Sequence, residues 1–250
     1  MKNPAAFPPT ASSDFRLAPA SRYNGPMSNQ AYLSIWCKQF DEAHQLQQFG
    51  AFLATVPFST SRPGFTRLVI RAIDAAESPV LEQDLRSVPL DPAGVLEIAQ
   101  DHLHADCAYE VEACWDLWVF DTNSAKPKLE PQGLEVYAYG EDYDDGFWRE
   151  NGHIEVSLGF EHLFTGHAGL LGLHRAAKAA AESPEEARFL EAMAWPENLQ
   201  AYQEKTRENV RKLLDWTRRI EKAVAVDHIR LWSEGEENFE ARLDEILAAR

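Results

Sequence analysis

The sequence has few cysteines and no long apolar run. Only three of its 250 residues are cysteines, Cys37, Cys107 and Cys114. They form no CxxC pair and lie in apolar or strand-like stretches, which is typical of reduced, buried thiols. No apolar run approaches the roughly 20 residues of a membrane helix, and the N-terminus lacks an apolar stretch of secretory length. These absences predict a cytoplasmic protein.

Motifs that would identify a reaction are also missing. The sequence contains neither GxGxxG nor GxxxxGK[ST], the glycine patterns of dinucleotide and phosphate binding. It has no GxSxG and no HExxH, the motifs of serine hydrolases and zinc proteases. We therefore expect no cofactor, and nucleophilic catalysis has no positive support.

Composition divides the chain into three parts. Residues 1–28 are rich in Pro, Ala and Ser with little periodicity, which predicts a disordered N-terminal arm. Residues 29–165 alternate strand and helix patterns and predict an α+β sheet domain. Residues 166–250 are mostly helical in pattern, and we expect this region to pack on the sheet.

The order of elements predicts a sheet with helices on one face. The first six elements follow the order β-α-β-β-α-β of a ferredoxin-like sandwich. Two further alternating segments, at 134–140 and 153–160, should extend the sheet as antiparallel strands. The six elements are a strand at 31–38, a helix within 41–55, strands at 67–74 and 80–85, a helix beginning after Asp91, and a strand at 106–121. Later helices are expected after Ser183, at 197–226 and at 238–249.

Positive charge is scarce in the middle of the chain. The formal net charge is −16, and residues 91–161 contain 17 acids and three bases, a charge of −14 for that segment. Nearly all of the charge imbalance therefore belongs to the second helix and the last three strands of the predicted sheet.

Period-two alternation places part of this charge on one face of the sheet. Along each strand, alternate residues point to the same side, so carboxylates and aromatic rings should share the surface opposite the apolar set. Such a surface repels phosphates, so we expect no nucleic acid to bind, and it attracts a basic protein. The predicted partner-binding residues are Glu110, Glu112, Asp116, Trp118, Glu135, Tyr137 and Glu155.

A second interpretation of the same charge is intramolecular. The helix at 197–226 carries seven bases, and it could lie across the acidic face within the same chain. The acidic side chains could equally be a solvated surface, which is the usual role of a charged face.

A histidine-rich stretch supports the alternative hypothesis that the protein is an enzyme. Imidazole and carboxylate are ligands of zinc and iron, and a carboxylate at a strand end with histidines on the next loop is a place for metal-assisted hydrolysis. The residues of this alternative are Glu155, His162, His167 and His174. No motif of known spacing links them.

Three functions remain open from the sequence. The first is a non-enzymatic binding or neutralising protein, similar in role to an immunity protein, that uses the acidic face to bind a basic protein. The second is a metal-assisted hydrolase that uses the histidine cluster. The third is a self-associating structural protein in which the long C-terminal helix pairs between two copies of the chain.

Overall fold

The computed structural model describes residues 29–167 and 184–248. The predicted N-terminal arm lies outside these residues. The described part contains seven strands: β1 (Gln30–Cys37), β2 (Arg67–Ala72), β3 (Leu81–Asp84), β4 (Cys107–Asp121), β5 (Lys126–Tyr139), β6 (Ile154–Phe160) and β7 (Val226–Ser233). It also contains seven α-helices: α1 (Gln45–Leu53), α2 (Pro92–Gln100), α3 (Trp148–Asn151), α4 (His162–Thr165), α5 (Pro184–Met193), α6 (Pro196–Ala223) and α7 (Phe239–Ala248).

Local sequence signals explain several of these boundaries. Asp91 caps α2, because its carboxylate accepts a hydrogen bond from the backbone N–H of Gly94 at 2.8 Å, and Pro92 occupies the first helical position. Pro196 likewise occupies the first position of α6, whose N-cap residue Trp195 makes no side-chain capping hydrogen bond. The α+β class and these helix starts are confirmed.

All seven strands form one antiparallel sheet. Their order is β3-β2-β4-β5-β6-β1-β7, and every recorded pairing between the strands is antiparallel. In this order β4 pairs with β2 and β5, whereas β1 lies between β6 and β7. The order differs from that of a simple ferredoxin-like sandwich, so that specific topology is not confirmed.

Two parts of the sheet were not predicted from sequence. β5 begins at Lys126 rather than at 134, because its first half pairs with the second half of β4 in a long hairpin whose polar and proline residues show no clear alternation. β7 follows α6 directly and adds an edge strand beside β1. The C-terminal region therefore contributes a strand to the sheet in addition to its helices.

The main core lies between one face of the sheet and the helices. Ile35, Leu68, Val111, Val136 and Val156 project from five strands into this core and are fully buried. The helices α1, α2, α4, α6 and α7 cover the same face with apolar residues of their own. The buried side chains that α6 adds to this core are Val210, Leu213, Trp216 and Ile220.

The structure bears on two features from which a cytoplasmic location was predicted, the lack of a membrane helix and the state of the cysteines. Among the described residues, no helix is long and apolar enough to cross a membrane. The three cysteines are unpaired. Burial raises the pKa of Cys37 to about 12, and burial together with Asp106 raises the pKa of Cys107 to about 11, so both remain thiols at neutral pH. The cytoplasmic location stays a prediction.

Polar side chains of α6 bind the free edge of β4 beyond the end of β2. The Asn209 side chain donates to the carbonyls of Trp118 and Leu163 at 2.9 and 3.0 Å and accepts from the backbone N–H of Trp118 at 2.8 Å. Lys212 Nζ donates to the carbonyl of Asp116. The backbone groups of this edge are therefore satisfied by a helix instead of by another strand.

We expect the substitution Asn209→Ala to destabilise the fold by about 2–4 kcal/mol, because it leaves three backbone groups without their partner in a largely buried place. Thermal unfolding should show the melting temperature falling by roughly 5–12 °C. The control is Gln200→Ala, which removes an exposed amide from the same helix. Equal melting temperatures for the two variants would contradict the role assigned to Asn209.

Candidate functional site

A row of side chains crosses the sheet face that is turned away from the main core. Residues directly opposite each other in an antiparallel pair point to the same side. Glu110 is opposite Tyr137, Tyr137 is opposite Glu155, Glu155 is opposite Ser34, and Ser34 is opposite Arg230. The row therefore joins five strands, from β4 to β7. We call this side of the sheet the open face.

A second row runs parallel to the first on the open face. Its cross-strand partners are, in order across the sheet, Arg67, Glu112, Glu135, Ser157, Tyr32 and Trp232. The rings of Tyr32 and Trp232 stack with their centroids 4.4 Å apart. Five of the seven predicted partner-binding residues thus share the surface that alternation predicted: Glu110, Glu112, Glu135, Tyr137 and Glu155.

The basic helix does not cover the open face. The apolar residues of α6 pack on the opposite side of the sheet, so intramolecular closure of the acidic face is ruled out for this helix. Several of its bases pair with acids of the same helix, as Lys205 does with Glu208 and Arg218 with Asp215, both at 2.7 Å. The apolar side of α6 is buried against the sheet of the same chain. It is therefore not available for the pairing of this helix between two copies of the chain.

Part of the acidic charge is neutralised at the β2 side of the open face. The Arg67 guanidinium contacts Glu110 at 2.7 Å, Glu112 at 2.9 Å and Glu82 at 2.8 Å. Burial raises the pKa of Glu110, and Arg67 opposes that rise by stabilising the carboxylate. The carboxylates of the central strands that Arg67 does not contact lie farther along the rows, at Glu135 and Glu155.

Glu155 occupies the centre of the open face on β6. Burial raises the pKa of its carboxyl to about 7, although the positive charge of Arg230 acts in the opposite direction. Beside it, the hydroxyl of Tyr137 donates to Glu135 at 2.9 Å. Burial, followed by the charges of Glu135 and Glu110, raises the pKa of Tyr137, so its ring stays neutral. The centre of this face can therefore change its charge near neutral pH.

Aromatic rings cover one end of the open face. Tyr139 stacks beside Tyr137 and Tyr143, with centroid distances of 6.1 and 5.9 Å, and meets Phe147 edge-on at 4.9 Å. These rings and Glu110 line a small cavity of about 130 Å³. Sequence analysis placed Tyr137 on this face but missed its clustering with Tyr143 and Phe147, although the four aromatic residues within 137–147 were a visible signal.

An exposed, strained residue lies beside this aromatic end. Ile73 has φ of 74°, an unfavourable conformation for a β-branched residue, and the residue is 60% exposed. Its carbonyl accepts a hydrogen bond from the backbone N–H of Asp144, a residue of the cavity wall. An exposed apolar side chain on a strained backbone is consistent with a contact surface.

The two remaining predicted residues of the acidic face have other roles. The Asp116 carboxylate is buried and accepts two hydrogen bonds from Thr60, each at 3.0 Å. The indole ring of Trp118 lies under Lys205, whose Nζ is 4.0 Å from the ring centroid. The pairing of β4 with β2 ends at Glu112, whereas its pairing with β5 continues to Asp121. Both residues therefore lie in the β4–β5 hairpin beyond the end of β2, outside the part of the sheet that carries the two rows.

The predicted metal ligands are only partly brought together. The rings of His162 and His167 stack 4.2 Å apart with an interplanar angle of 16°. A metal ion lies in the plane of each imidazole that binds it, about 2.0–2.1 Å from nitrogen, so two stacked rings do not share one ion. Glu155 lies on the open face, and His174 lies outside the described residues. Within residues 29–167 and 184–248 no group of three ligand side chains is placed to hold a metal, so this reading stays a prediction without geometric support.

The raised pKa of Glu155 predicts how stability changes with pH. In the unfolded chain its carboxyl ionises near pH 4.5, but in the folded protein it ionises near pH 7. Between these values the folded state binds more protons, so the contribution of Glu155 to stability falls as the pH rises. We expect Glu155→Gln to be more stable than the parent at pH 8 by about 1 kcal/mol, and this advantage should disappear at pH 4.

Urea denaturation at pH 4, 6 and 8 measures this difference. Glu97→Gln, which changes an exposed carboxylate on α2, is the matched control. An advantage of Glu155→Gln that does not depend on pH would show that the carboxyl is not held in this environment.

Comparisons with models of protein families, with curated proteins and with solved structures find no match. The function must therefore be inferred from the open face and the cavities themselves.

Proposed function

We propose that this chain is a non-enzymatic binding protein whose open face takes up a basic protein partner, in the manner of a neutralising or immunity protein. The observation that carries the proposal is the arrangement of the sheet. Five helices cover one face, and the other face, which α3 covers only at one end, presents glutamates and aromatic side chains in two adjacent rows. A wide face of this kind suits the flat surface of another protein.

Charge supports a basic partner. Glu135 is exposed and Glu155 occupies the centre of the face, whereas the bases Arg67 and Arg230 lie toward opposite sides of the sheet. The chain as a whole has a formal charge of −16. Long-range attraction of this sign accelerates encounter with a positively charged protein and repels nucleic acid phosphates.

Aromatic side chains support a tight complex. Charged groups at an interface mainly set the association rate and the specificity, whereas buried aromatic anchors supply most of the binding free energy. The open face has rings at both ends: Tyr32 and Trp232 beside β7, and beside β4 the exposed ring of Phe147, which packs on the buried rings of Tyr139 and Tyr143. A partner spanning both ends would cover the carboxylates between them.

Reversing one charge on the open face tests this proposal. Glu135→Lys changes an exposed side chain at the centre of the face, and Glu97→Lys makes the same change in net charge on the exposed side of α2. Each protein is immobilised and used to capture partners at low salt from a lysate of its source, with quantitative mass spectrometry. We expect a basic protein to be recovered by the parent and by Glu97→Lys, and at least about tenfold less of it by Glu135→Lys.

Salt dependence and a direct measurement complete the experiment. The captured protein should bind the purified parent in a titration, and its association rate should fall as salt rises from about 50 to 500 mM, because the Debye length shortens over this range. Recovery of the same proteins in equal amounts by all three baits, or of no basic protein by the parent, would refute the proposal.

A further inference from the structure

A larger cavity lies away from the open face, between the β4–β5 hairpin and the helices α4, α5 and α6. Its volume is about 270 Å³, near the lower limit for small-molecule sites. We call it the hairpin pocket. The residues of its wall on which the argument depends are Trp118, Phe120, Gln132, His162, Phe189 and Tyr202.

Aromatic rings form a continuous wall of the hairpin pocket. Phe189 meets Phe120 at 5.7 Å and Tyr202 at 5.4 Å, both edge-on. On its other side it meets His167 at 4.9 Å, and His167 stacks on His162. Rings that present both faces and edges to a cavity favour a flat ligand, which can stack on one ring and meet another edge-on.

One buried polar group in this wall has no partner. Gln132 is 3% exposed, and its Nε2 makes no hydrogen bond within the described part of the chain. Two other buried side-chain atoms share this property, on Gln45 and Trp115, but neither residue lines the hairpin pocket. A buried amide N–H without an acceptor costs about 1–3 kcal/mol, and an acceptor atom on a ligand would remove that cost.

The charged groups at this cavity already have partners. Lys205 contacts Glu208 at 2.7 Å, and Glu130 contacts Lys128 at 2.6 Å. Burial lowers the pKa of His162 well below its usual value and the pKa of His167 to about 4, so both imidazoles are neutral at pH 7. An anionic ligand would therefore lose its hydration without meeting a cation that is not already paired, and a cationic ligand would meet only Asp121, whose carboxylate already accepts hydrogen bonds from Asn123 and Ser124.

We propose that the hairpin pocket binds a flat, uncharged heteroaromatic molecule of one or two fused rings, which accepts a hydrogen bond from the side-chain amide of Gln132. The aromatic wall supplies the stacking surface, and the amide selects a ligand that carries a carbonyl or ring-nitrogen acceptor. This site is separate from the open face and does not depend on the partner proposed for it.

Binding of small probes to the full chain tests the proposal. The probes are 2-quinolone, which has two fused rings and a carbonyl acceptor, naphthalene, which has the rings alone, and 1-naphthoate, which adds a charge. The readout is the indole N–H signal of Trp118 in a two-dimensional NMR spectrum, identified among the seven tryptophans with Trp118→Phe. We expect 2-quinolone to shift this signal with a dissociation constant on the order of 1 mM or lower, naphthalene to bind about tenfold more weakly, and 1-naphthoate not to bind.

Removing the amide separates its role from that of the rings. Gln132→Leu keeps the approximate volume and removes the buried amide, so we expect a melting temperature equal to or above that of the parent. Its affinity for 2-quinolone should fall to that for naphthalene, while its affinity for naphthalene stays unchanged. Gln47→Leu, which alters an exposed amide on α1, is the matched control and should leave all affinities unchanged.

Three results would overturn the proposal. They are the absence of any probe-induced shift of the Trp118 signal, equal binding of 2-quinolone and 1-naphthoate, and unchanged affinity of Gln132→Leu for 2-quinolone. The melting temperature of Gln132→Leu shows that the variant is folded, so each of these results is decisive.

Discussion

The packing of α6 against the sheet, centred on the contact between Trp216 and Trp115, determines which surfaces of this protein are available for binding. The two indole rings lie 5.6 Å apart, and both are fully buried. The Trp216 N–H donates to the Thr55 hydroxyl at 3.0 Å, which orients the ring against α1. Since this contact commits the apolar side of the 28-residue helix to one face of the sheet, the other face remains free to carry carboxylates.

The same helix position also creates the second candidate site. With Trp216 fixed, Asn209 lies against the edge of β4 and binds the backbone of Trp118. One or two turns earlier, Tyr202 and Thr206 face the cavity beneath the hairpin. The hairpin pocket therefore lies between the first half of α6 and the β4–β5 hairpin.

Local sequence patterns predicted most of the helices and strands. The features that they did not predict depend on pairing between segments that are distant in sequence. The alternation around Val111 and Trp115 and the cap at Asp91 are properties of short segments, and each was identified correctly. β7 was missed although Ile229 and Leu231 alternate with charged residues, because eight residues beside a long helix gave a weak signal. The strand order also depends on contacts between distant segments. Nothing local specifies that β1 lies between β6 and β7.

The two candidate sites differ in how much of each could be predicted from the sequence. They share one physical property, a group that lowers the stability of the fold. Alternation placed Glu110, Tyr137 and Glu155 on one surface, but their neighbours across the rows depend on register. Both sites contain a group that reduces stability: a carboxyl at Glu155 that burial makes harder to ionise, and an amide at Gln132 without an acceptor. An apolar side chain would serve the fold better at either position. The two proposed binding roles would account for keeping these groups in spite of their cost to folding.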